Sequence, residues 1–132
     1  MKKTANARFT IAAWDEKPWS EAADRPKLTR ASVAKVYSGD LEGEGRVEYL
    51  MMYRADGSAT IVGLEYFSGR LADRDGSFVL RRAGAFESGQ AKESYSVVEG
   101  SATGELRGLR GEGQSALGHA TEYPFTLAYE IE

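Results

Sequence analysis

Glu65 is the residue of this chain best placed to do chemistry. It stands between Leu64 and the aromatic pair Tyr66-Phe67. At a two-residue period it shares a face with Ile61, Gly63 and Phe67. A carboxylate on an apolar face needs a partner or takes a raised pKa, and either marks a candidate site. Inside a lumen it could move a proton or stabilise developing charge, which makes it the candidate catalytic residue. Arg81 and Arg82, one hairpin further on, are its candidate partners. A structural ion pair, or a glutamate facing outward, is the competing reading.

A second constellation could hold a ligand. Tyr49, Met51, Tyr53, Tyr66, Phe78 and Phe86 are adaptable apolar side chains, and Arg82 could join them as a polar contact. The same residue types also fill the core of any small barrel. His119 is the single histidine, and there is no cysteine. That pair of facts removes the usual zinc site, disulfides and thiol chemistry, and no metal is expected. His119 could be an acid or base if it faced a lumen. Its polar setting, Gly118 to Glu122, favours a solvated loop. Gly111-Glu112-Gly113-Gln114-Ser115-Ala116 has the spacing of a dinucleotide fingerprint. That motif must open a helix, and Gly118 and Pro124 leave no room for one, so no cofactor is expected. Asp73-Arg74-Asp75-Gly76 is a fragment of a calcium loop without its remaining ligands, and reads as a turn. Glu105, between Gly104 and Leu106-Arg107, reads as a corner fixed by an arginine.

The elements that must position these residues are strands. Ala7 to Trp14, Lys27 to Tyr37, Leu41 to Tyr53, Ser58 to Leu71, Ser77 to Phe86, Ala91 to Val98 and Tyr123 to Ile131 all have strand composition or alternation. Asp15 to Pro26, with two prolines, reads as a loop with a brief helical turn near Ser20. Asp56-Gly57, Asp75-Gly76 and Gly89-Gln90 read as hairpin turns, the first two as type I′. Val97 to Gly113 carries glycines at 100, 104, 108, 111 and 113. Each would cost a helix roughly 1 kcal/mol against alanine, so the run reads as one or two short, sharply bent strands. Seven to nine hairpin-linked strands with no amphipathic helix imply an antiparallel meander. Closure into a barrel removes its edges and is favoured over an open sandwich.

Composition sets outer bounds. A chain of 132 residues suggests one domain, 1–132. A net charge of −3 argues against a nucleic-acid partner. No segment approaches the roughly 20 apolar residues of a spanning helix, so no membrane is expected. Met1 to Ala5 resembles a secretory n-region, but Asn6, Arg8 and Thr10 interrupt any apolar run, and a cytoplasmic location is expected.

The order of segments resembles a bacterial family of unknown function with the allene oxide cyclase-like β-barrel. The resemblance rests on Gly63-Leu64-Glu65, Gly69-Arg70-Leu71, Asp75 to Leu80, and Gly84-Ala85-Phe86. It continues through Gly100 to Leu106, Gly108 to Gly111, His119 and Tyr129-Glu130, with Ala102 where a glycine is expected. It implies an all-β fold, a single eight-stranded antiparallel barrel, frequently assembled as an oligomer. It implies no established activity and transfers no catalytic residue.

Two functions are therefore expected to compete. In one, the lumen binds a small hydrophobic molecule, with isomerase or cyclase chemistry as an extension. In the other, the barrel is filled by its own side chains and is a non-catalytic homo-oligomer. Leu50 and Met52, on the charged face of their strand, would then sit in a subunit interface.

Overall fold

A computed structural model describes residues 2–132. Nine strands follow in order: β1 (Lys3–Ser20), β2 (Lys27–Gly39), β3 (Leu41–Tyr53), β4 (Ala59–Leu71), β5 (Arg74–Glu87), β6 (Gln90–Val97), β7 (Thr103–Gly104), β8 (Leu109–Leu117) and β9 (Tyr123–Ile131). Every pairing is antiparallel. Neighbours run β1-β2-β3-β4-β5-β6-β8-β9, and β9 returns to β1. This is a closed eight-stranded barrel, with β7 as an extra strand outside it on β5. No helix occurs among the described residues.

Alternation decides which side chains go inside. On β2, Thr29, Ala31, Val33, Lys35 and Tyr37 are buried while Arg30 and Val36 are exposed. On β3 the buried set is Leu41, Gly45, Val47, Tyr49 and Met51, so Leu50 faces out. The interior separates into two apolar clusters. The larger gathers Phe9, Tyr37, Phe67, Phe78, Tyr95 and Phe125 with surrounding leucines. The smaller holds Ala31, Val33, Val47, Tyr49, Met51 and Ile61.

A row of glycines bends the wall. Gly43, Gly69, Gly76 and Gly104 are consecutive register partners across β3, β4, β5 and β7. A Cβ on Gly69 would overlap the Glu42 carbonyl and approach the Gly43 Cα to 2.8 Å, and its φ is +157°. Only glycine permits so close a crossing.

Three turns differ from the sequence reading. Between β3 and β4, Gly57 alone has positive φ, and Arg54 and Ser58 close a three-residue loop. This is a type I turn with a left-handed glycine, so the turn is not type I′. Asp75-Gly76 lies inside β5, and the β4–β5 turn is Ala72-Asp73, three residues earlier. Ala72 takes φ 56° there, fixed by its N–H donating to the Asp40 carbonyl at 2.8 Å. The β5–β6 turn is Ser88-Gly89, both residues with positive φ.

The expected loop from Asp15 is also strand. β1 continues to Ser20 because Trp14 to Ser20 pair with Leu28 to Val33 of β2. Register shifts at Ile11/Ala13 and Pro18/Ser20 let the strand bend while Trp14 and Glu16 stay opposite the buried Val33 and Ala31. β9 pairs with β1 only as far as Phe9, and β8 with β9 only over Leu109–Glu112. The barrel is therefore open along this seam at one end.

Gly69→Ala is expected to destabilise the protein by more than about 2 kcal/mol, because the new methyl must displace backbone rather than a side chain. Urea unfolding of the two proteins measures it.

Candidate functional site

Glu65 lies in the barrel interior, fully buried. Its Oε1 accepts from Arg82 Nε at 2.6 Å and from Lys35 Nζ at 3.3 Å. Its Oε2 accepts from the Tyr37 hydroxyl at 2.6 Å. Arg82 also reaches Glu93 at 3.5 Å, and the Tyr49 hydroxyl donates to Glu93 at 3.0 Å. Arg82 lies over the Tyr95 ring at 4.7 Å and Lys35 over Phe9 at 4.6 Å. Two cations face two anions, so the buried layer is formally neutral. Gly45 makes it possible, since a Cβ there would collide with the Glu65 carboxylate and the Tyr37 ring. No buried side-chain polar atom among the described residues lacks a hydrogen bond.

The electrostatics follow from this geometry. Burial alone would raise the Glu65 pKa, but the Arg82 guanidinium and then the Lys35 ammonium outweigh it and hold the carboxyl below its ordinary value. Burial pulls Lys35 down against the opposing field of Glu65. Burial, reinforced by Glu65, pushes the Tyr37 hydroxyl up. Tyr49 is likewise raised by burial, although Arg82 opposes the shift. Both Glu65 oxygens are thus committed to donors, and the field of Arg82 and Lys35 favours the anion.

The sequence-derived ligand set divides. Tyr49, Met51 and Phe86 face inward at the open end of the barrel, with Arg82 beneath them. Phe78 lies in the larger cluster, packed on Phe67 at 5.1 Å between ring centroids. Tyr66 does not join them; it lies on the outer wall, because residues of even number on β4 face solvent. Arg81 is also outside, and Arg82 alone partners Glu65. His119 is exposed in the β8–β9 connection. The Glu105 carboxylate accepts from the Asp75 backbone N–H at 2.9 Å, and the arginine at this corner, Arg74, donates to the Glu105 backbone carbonyl at 3.4 Å rather than to its carboxylate. The Gly111 to Ala116 run is part of β8. Among the described residues, no three His, Cys, Asp or Glu side chains are grouped to hold a metal. Among the described residues, no helix is long and apolar enough to cross a membrane.

Sequence reasoning missed Lys35, Tyr37, Glu93, Trp14 and Glu16. Lys35 had a signal, since it shares the β2 face of Val33 and Tyr37. Glu16 had none while Asp15 to Pro26 read as a loop, and Trp14, the last residue of the expected first strand, faces inward only because of the register shift at Ile11/Ala13. In the structure they border the open end. The Trp14 indole N–H donates to Glu16 Oε1 at 3.1 Å, and its ring lies 6.4 Å from that of Tyr49. Thr29 donates to Glu16 Oε2 at 2.7 Å, and Tyr53 donates to the same oxygen. Clefts of about 570 Å³ and 340 Å³ lie at the tips of the β3–β4 and β5–β6 hairpins and along β5, β6 and β8. Neither is lined by Glu65.

A small closed antiparallel barrel with a neutral buried charge layer is the class of protein these features define. The chain belongs to DUF3224, a family of proteins of unknown function, whose profile matches residues 5–129. It is also similar to the crystal structure of a protein of unknown function from the same family, from Shewanella oneidensis MR-1. The two share 27% identity with a TM-score of 0.82, over 100% of this chain and 98% of the other. No curated protein matches this chain.

Glu65→Gln is expected to cost about 3–5 kcal/mol at pH 7, because it leaves Lys35 and Arg82 buried without their anion. A carboxyl with a depressed folded pKa contributes stability above its unfolded pKa and loses it as pH falls through the folded value. The difference between wild type and variant therefore persists down to about pH 4.5 and shrinks below it. Urea midpoints measured from pH 7 to pH 3 check both statements.

Proposed function

We propose that this chain binds a small, largely apolar molecule at the open mouth of its barrel, without acid–base catalysis by Glu65. One observation carries this reading. Trp14 and Phe86 both sit on inward-facing positions, yet remain 49% and 40% exposed where the wall is open. Below them Tyr49 and Met51 are buried, so the mouth has an aromatic rim and a packed apolar floor. Inward aromatics normally vanish into a core, so two that stay half-covered at an opening support a ligand surface there. Under the floor, the Tyr49–Glu93–Arg82 chain fixes ring positions without offering a free polar group.

The middle of the lumen fits a ligand poorly. Glu65, Phe67, Phe78, Val47 and Leu127 each retain 1% exposure or less. An isomerase or cyclase would need a group free to carry a proton, and Glu65 is saturated by Arg82, Lys35 and Tyr37. Binding at the mouth needs no such group.

The chain contains two tryptophans, Trp14 and Trp19. Trp19→Phe leaves Trp14 as the sole indole, a reporter at the rim. Titration with anilinonaphthalene sulfonate is expected to give saturable energy transfer from Trp14 to the dye. Adding Phe86→Asp is expected to weaken binding by about tenfold or more, since it removes an apolar wall and adds a charge. Absence of saturable transfer, or a dye affinity indifferent to Phe86→Asp, overturns the reading.

A further inference from the structure

We infer that the outer wall around β4 is a self-complementary face that pairs two copies of this chain about a two-fold axis parallel to β4. The wall carries four large apolar side chains in adjacent register rows. Leu50, Val62, Leu64 and Tyr66 are 49%, 46%, 55% and 53% exposed. Leu50 is the register partner of Val62, and Val62 of Ala83. Tyr66 continues to the half-buried Val79 on β5. Scattered single apolar residues need no explanation, but a contiguous set on the convex side of a filled barrel does.

Charge around this patch selects both the occupant and the axis. Leu64 is at its centre, with Glu48 as its partner on β3 and Arg81 as its partner on β5. Glu48 is organised, accepting from Ser32 at 2.7 Å and from Arg30 at 3.1 Å, with Arg46, the register partner of Tyr66, 3.8 Å from its other oxygen. The Ser32 hydrogen bond, then Arg30, keep its carboxyl below the ordinary value, so it is a fixed anion. Arg81 is exposed, and its guanidinium has no partner among the described residues.

Consider a second copy laid face to face on the first. A two-fold axis running along β4 keeps each register row in place and exchanges left with right. Leu64 then meets Leu64, and Glu48 of each copy lies over Arg81 of the other. The same rotation brings Leu50 over Ala83, large against small. An axis across the strands would instead stack Glu48 on Glu48 and Arg81 on Arg81, which like-charge repulsion disfavours. Two sheets packed face to face align within about 30°, which the first arrangement satisfies with β4 along β4. The contact is isologous and closes at two copies.

Sedimentation velocity over a concentration series tests this with four proteins. Wild type is expected to be a dimer, and Leu64→Glu a monomer with unchanged circular dichroism. Arg81→Glu sets two anions against each other twice and is expected to raise the dimer Kd by about tenfold or more. Adding Glu48→Arg to Arg81→Glu restores opposite charges across the axis and is expected to return the Kd towards the wild-type value. A wild-type monomer at the highest concentration overturns the inference. So does a dimer indifferent to Leu64→Glu. A dimer that Leu64→Glu dissociates but the charge exchange fails to rescue overturns the proposed axis. None of these results depends on dye binding at the mouth, because the face and the mouth lie on opposite sides of the wall.

Discussion

Everything inside this barrel is arranged around one buried anion. Glu65 has left water entirely, and an isolated carboxylate in that position would be prohibitively costly. Arg82 on the neighbouring β5, and Lys35 and Tyr37 reaching across the interior from β2, offset that cost. The cations bring their own desolvation, which Glu93 and the faces of Tyr95 and Phe9 help to relieve. Gly45 leaves the volume that the carboxylate occupies. Remove Glu65, Arg82 or Lys35 and the others are left with unmatched charge in a low-dielectric interior.

The layer also partitions the molecule. On one side, stacked and edge-on rings fill the lumen, with Tyr95 on Phe125 and Tyr37 against Phe67. On the other, a thinner set around Val47, Tyr49 and Met51 forms the floor of the mouth. The mouth exists because β1 runs on past β9. Two register shifts, Asp15-Glu16-Lys17 and Pro18 on that extension blunt an edge that would otherwise invite another strand. The large apolar side chains left exposed lie away from the centre, on the aromatic rim and the outer wall.

The strand order and closure were legible because alternation is strong on β2, β3 and β4, where both faces have distinct chemistry. Alternation puts Glu65 on one face with Ile61, Gly63 and Phe67 but leaves open whether that face is the inner one, and it offers Arg81 and Arg82 alike as partners; the register of the closed barrel decides both. Other features depend on information that a local pattern does not carry. Asp75-Gly76 has the composition of a turn, yet the glycine serves a close crossing with Gly69 and Gly104. Asp15 to Ser20 is polar with a proline, and becomes strand only because β2 reaches far enough to pair with it. Tyr66 looks like core by type, but its register puts it outside. Lys35 shows the converse, since a lysine goes inside when a buried anion and an aromatic face await it.

The central claim is that Glu65 is a permanently ionised structural anion. The most direct measurement is the carbon-13 NMR titration of its side-chain carboxyl in the folded protein. The account predicts a carboxylate shift that persists below the ordinary glutamate range until the protein unfolds. A carboxyl that takes up its proton above that range, while the fold is intact, would contradict it and would return Glu65 to the role of a proton donor.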